Sequence, residues 1–124
     1  NSYKKLLKSM FDDIVFVDRK LSSKELENKK FNSFINFKEN FFHLEFNTIR
    51  NTGKLNVSLT SNFIVEGNNK IIKNMISSEQ SWEKNVYFNC NVVKGASKIS
   101  NIAFESLMNQ AHQKIYSSVK NILR

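Results

Sequence analysis

From Lys54 to Glu66 the chain reads KLNVSLTSNFIVE, with Leu55, Val57, Leu59, Ser61, Phe63 and Val65 on the odd positions and Asn56, Ser58, Thr60, Asn62 and Ile64 between them. Successive strand residues point to opposite faces, so a two-residue period of this length predicts a long strand with one apolar and one polar side. The remaining elements arrange themselves around it. Tyr3, Leu6, Leu7, Met10 and Phe11 recur at helical spacing and predict a short amphipathic helix over Ser2 to Phe11. Ile14-Val15-Phe16-Val17, between aspartates, reads as a brief strand, and the polar stretch after Leu21 as a connector in which Ser22 or Ser23 can cap a helical turn.

Phe31, Ser33, Ile35 and Phe37 then alternate on odd positions, and Phe42, Leu44, Phe46 and Thr48 on even ones. The change of phase near Asn40 predicts a turn or a bulge. Asn51-Thr52-Gly53 is expected to form a three-residue hairpin loop, and Gly67-Asn68-Asn69 to end the central strand. Lys70 to Ser78 is the antiparallel return, with mixed character on both faces that leaves its register open. Glu79 to Glu83 reads as a polar link carrying Trp82, followed by a last strand of Val86, Phe88, Cys90 and Val92. Lys94-Gly95-Ala96-Ser97 is expected to break that strand. From about Asn101 to Leu123 the period turns helical, with Phe104, Met108, Ala111, Ile115, Val119 and Ile122 as one stripe, which makes a helix of roughly 33 Å. These elements predict an α+β fold: a single antiparallel β-sheet with a short N-terminal helix and a long C-terminal amphipathic helix packed on one face.

The chain has 124 residues, which suits a single domain spanning 1–124, and no apolar run approaches the roughly 18 residues that span a bilayer as a helix. The formal net charge of +8 invites a basic nucleic-acid-binding module as an alternative function. Its distribution favours a solvated surface instead, because no basic run exceeds two residues and acids are interleaved. Cys90 is the single cysteine; it excludes an internal disulfide and shares the apolar side of its strand, so it is expected to be buried and inert. Asp12-Asp13 reads as a turn former.

The strongest metal or catalytic set the residues offer is His43 and Glu45 on one strand face, joined by His112. It would make a small metal-dependent enzyme the third function class. The sequence has no Walker loop, Rossmann fingerprint, nucleophile elbow or HExxH, so the expectation is no enzyme, no cofactor and no metal site.

Three stretches carry a resemblance. SYKKLLKSMFDDIVFVD is similar to a helix leading into a short strand, HLEFNTIRNTGKLNVSLTSNFIVEGNNKIIKN to paired central strands, and SNIAFESLMNQAHQKIYSSVKNIL to a closing helix. In that order they resemble small envelope lipoproteins of Gram-negative bacteria: the YajG-like proteins, the transporter-associated auxiliary lipoproteins and, more distantly, the LPS-assembly lipoprotein LptE. The resemblance implies a non-catalytic periplasmic binding or scaffold domain, tethered to the outer membrane by a lipid anchor. The anchor cysteine and signal that the resemblance implies would then lie outside this chain, which begins at Asn1 and reads as an excised mature domain. An envelope protein is then the expected partner. It would dock on an edge strand or on the polar face of the central strand at Asn56, Ser58, Thr60 and Asn62, with a small apolar ligand in the helix–sheet cleft as the lesser expectation.

Overall fold

A computed structural model describes residues 2–17, 19, 21–50, 52–85 and 92–124. The elements are α1 (Ser2–Met10), α2 (Ser23–Asn28), β1 (Phe34–Ile49), β2 (Thr52–Gly67), β3 (Lys70–Asn85) and α3 (Val92–Ile122). The three strands form one antiparallel sheet in the order β1-β2-β3, and α3 packs across β2 and β3, so the α+β architecture is as the periodicity predicts.

The two-residue period of β2 is realised in full. Leu55, Val57, Leu59, Ser61, Phe63 and Val65 are all buried toward the helices, while the alternate residues are only partly shielded on the opposite, open face. The phase change in β1 is a bulge. Phe37 pairs with Phe63 and Glu39 with Asn62, so Lys38 is the extra residue that moves the apolar set from odd to even positions. β1 is therefore one 16-residue strand.

Other elements differ from the sequence reading. Ile14 to Val17 makes no strand; Ile14 is half-buried and Val15, Phe16 and Val17 are exposed. The first hairpin turns between Ile49 and Thr52, which pair with each other, so that Gly53 is already inside β2 opposite Thr48. Arg50 rather than Gly53 takes the left-handed conformation, with φ 57°. The second hairpin turns at Asn68 and Asn69, whose φ of 48° and 61° give the two left-handed residues of a tight type I′ connection. β3 runs on through the supposed polar link to Asn85, and pairing of Leu55 with Trp82 puts that indole on the helix side.

The expected strand over Val86, Phe88 and Cys90, together with the shielding of Cys90, lies outside the described residues. Its last member, Val92, opens α3. Gly95 does not break a strand but sits buried inside α3, where a Cβ would lie 2.6 Å from the Trp82 ring. A helix crossing an indole this closely requires glycine at the contact. α3 thus gains a further turn and more at its start and reaches roughly 46 Å.

The stripe it buries is Ile99, Ala103, Leu107, Ala111, Ile115, Val119 and Ile122. Phe104 and Met108, expected as members of the stripe, are rotated to the flank, at 39% exposure and half-buried respectively. α1 adds Leu7 to the same core, with Tyr3 stacked on Phe37 at 4.1 Å between ring centroids. α2 starts with a capping box in which Ser22 accepts from the Glu25 amide and Glu25 accepts from the Ser22 amide.

Candidate partner-docking surface

The two edges of the sheet are treated differently. At β3, the side chain of Gln110 donates to the Ser77 carbonyl (2.7 Å) and accepts from the Ser77 amide (3.4 Å), so a helix side chain takes up outward-pointing strand groups. Asn74 donates to Ser118 at 3.0 Å, and Lys70 Nζ donates to the Asn121 carbonyl at 3.1 Å. Asn68 donates to the Ile122 carbonyl. The last carbonyls of α3 are thereby satisfied by β3 and the turn before it, with a cation where the helix dipole favours one. All these bonds pull α3 toward β3.

β1 lies at the other edge and has a strand neighbour on one side only. Its first half is covered, where Ile35 and Phe37 pack against the core beneath α1. Its second half is not. Phe42, Leu44 and Phe46 pair with the buried Leu59, Val57 and Leu55 and so face the helix side, yet they are 60%, 43% and 43% exposed. Between Leu44 and Phe46 and α3 runs a shallow groove of about 530 Å³ floored by Leu55 and walled by Ala96, Ser97, Ser100 and Asn101. Phe104 follows Ser100 by one helical turn, so it lies on the same flank of α3 and is itself partly exposed. Phe41 adds 59% exposure on the open face of the same strand.

On that open face Asn56, Ser58, Thr60 and Asn62 form the central row, half-buried between flanking strands. Their neighbours are Glu45, His43, Phe41 and Glu39 on β1, and Ser81, Glu79, Ser77 and Met75 on β3. His43 Nε2 lies 3.7 Å from Glu45 Oε2, and Asn47 donates to Glu45 Oε1 at 2.9 Å. The Asn47 bond, with His43 second, lowers the Glu45 carboxyl below its ordinary pKa. His112 does not join them, since it is exposed on α3 and α3 packs against the other face of the sheet. Among the described residues no group of three or more His, Cys, Asp and Glu is placed to hold a metal ion. Nor is any helix among them long and apolar enough to cross a membrane.

The sequence marked the β2 row and the edge strands but not that β1 is the open edge, because the apolar phase of β1 reads as core, and only the lateral position of α3 shows that the cover stops short. A scan of protein-family models, a search of curated proteins and a search of solved structures each return no match to this chain.

Proposed function

We propose that this protein is a non-catalytic binding or scaffold domain whose second half of β1 receives an extended strand of a partner protein. The observation that carries the reading is the asymmetry of cover. α3 leans onto β3 and occupies outward groups of that edge through Gln110, while Phe42, Leu44 and Phe46 stand open on an edge strand. Long, flat apolar edges template pairing with other chains, and soluble proteins ordinarily blunt them. A strand added here gains main-chain hydrogen bonds to β1 and lays alternate apolar side chains into the groove toward α3. Full burial of a large apolar side chain is worth about 1.5–3 kcal/mol. Scaled by the fraction still exposed, sealing these three contributes about 2–4 kcal/mol, or roughly thirty- to a thousandfold in affinity. The polar row Asn56, Ser58, Thr60 and Asn62 is adjacent and belongs to the margin of the same contact.

An envelope location and an outer-membrane tether follow from the resemblance to the YajG-like, auxiliary and LptE lipoproteins and are part of this proposal. The genomic sequence upstream of Asn1 tests them, since a signal peptide ending in a lipidated cysteine is required.

A photo-crosslinking amino acid placed at Phe42 or Phe46 in the host should capture one discrete partner, and the same group at His112 should not. With that partner purified, a Phe42→Lys/Phe46→Lys double variant should lose at least tenfold in affinity while remaining folded, its thermal midpoint falling only as far as the partial burial of the two rings requires. Crosslinking confined to Ser58 and Thr60 would move the docking site to the polar face. A homodimer in sedimentation that the double variant dissociates would make the occupant a second copy, and the reading of a distinct partner would be wrong.

A further inference from the structure

A cavity of about 640 Å³, partly open to solvent, lies at the opposite end of β1 from the uncovered groove. Its apolar walls include Phe11, Ile14, Leu26, Phe31, Phe37 and Val119, drawn from the exit of α1, α2, β1 and α3. That volume falls in the middle of the range used by small-molecule sites, which are concave, mostly apolar and carry a few polar groups.

Two further features point to what it takes. Val15, Phe16 and Val17 line this cavity and are 60%, 40% and 39% exposed, so three consecutive large apolar residues stand open at its lip instead of in a strand. Among the described lining residues cations also outnumber acids. Arg19 is clamped by Glu25 of α2 (2.6 Å and 3.1 Å), Lys30 follows α2 by two residues, and Asp13 is the acid among the described lining residues. Lys4 and Lys8 stand over the Phe16 ring at 5.2 Å and 5.8 Å, adding two cations beside the lip.

We infer that this cavity is a binding site for a single-chain amphiphile with an anionic head, a long-chain carboxylate, whose tail fills the apolar walls and whose head meets Lys30 and Arg19. The tail needs no hydrogen-bond partner, which suits walls built from aliphatic and aromatic side chains, and it covers the exposed lip. Lys30 carries the head-group preference, because the Arg19 charge is already shared with Glu25. The site is independent of the β1 groove.

Straight-chain carboxylates of increasing length, each below its micellar concentration, should compete with a fluorescent fatty acid for one saturable site on the intact protein. Affinity should climb roughly fourfold per methylene, as expected for about 0.8 kcal/mol per buried CH₂, and then level off once the cavity is full. The alcohol of the same length should bind at least tenfold more weakly, and Lys30→Gln should close most of that gap without altering alcohol binding. Val17→Trp and Ile14→Trp, at partly exposed positions that tolerate the added ring, should each abolish binding. The inference fails if no chain length binds saturably, if alcohol and carboxylate bind alike, or if binding survives both tryptophan variants. It also fails if binding is lost in Phe42→Lys/Phe46→Lys, which would place the ligand on β1.

Discussion

Ser61 is wholly buried in the middle of the apolar face of β2, and its replacement by alanine should be more costly than the loss of one oxygen suggests. Its hydroxyl donates to the Asn40 side chain and is the polar neighbour of the Tyr3 phenol, which is stacked on Phe37 beneath α1. Asn40 is exposed, so water can replace Ser61 there. The Tyr3 oxygen is buried and cannot be reached so easily. Stranding a buried donor costs about 1–3 kcal/mol, whereas removing both partners together is close to neutral. Ser61→Ala should therefore lower stability by about 1–3 kcal/mol, or very roughly 3–15 °C in thermal midpoint for a domain of this size. The Tyr3→Phe/Ser61→Ala double variant should recover most of it, with a coupling of at least about 0.5 kcal/mol. Urea unfolding followed by circular dichroism on the four proteins of the cycle measures this directly. If Ser61→Ala costs the same with and without Tyr3→Phe, the two hydroxyls are not coupled.

The cycle also has a pH signature. Burial raises the Tyr3 pKa above 10.0, with the Ser61 bond opposing. The unfolded chain then loses this proton first, so the contribution is complete below pH 10 and declines as pH rises beyond it. Tyr3→Phe should remove that part of the alkaline decline.

Three further outcomes are expected. Glu25 is held at a pKa of about 2, first by the Arg19 side chain and then by the Ser22 amide, so the capping of α2 should be complete above pH 4.5 and fade as pH falls toward 2, seen as lost exchange protection at the Ser22 amide that the carboxylate accepts from; no such fading in that window would show that the carboxylate is not holding the cap. Gly67→Ala should destabilise by about 1–3 kcal/mol, since its Cβ would run into the Asn32 carbonyl and lie 2.9 Å from Ile122 Cγ2; an unchanged urea midpoint would mean that the chain after α2 is free to shift. Asn69→Val should cost about 1–2 kcal/mol because φ is 61° there, whereas Asn69→Gly should not destabilise; equal losses would contradict the left-handed turn.

The sequence by itself determined α1 and β2 and the shape of β1, whose signals are local and repeat. The strict alternation of β2 names its buried face because a strand has no other way to sort such side chains, and the phase slip in β1 announces its bulge. The spacing in α1 and a serine cap at Ser22 or Ser23 are equally local, and the structure gives the cap to Ser22 with Glu25 as its return partner. Tertiary structure decided what depends on neighbours distant in the chain. β3 is mixed on both faces, and its register follows from pairing with β2 and from the bonds of Asn74 and Ser77 to α3. Gly95 looks like a breaker until the Trp82 ring is seen against it. Phe42, Leu44 and Phe46 have the same pattern as buried core residues, and their exposure arises because a single helix, drawn to β3 by polar bonds along its length, is too narrow to cover three strands.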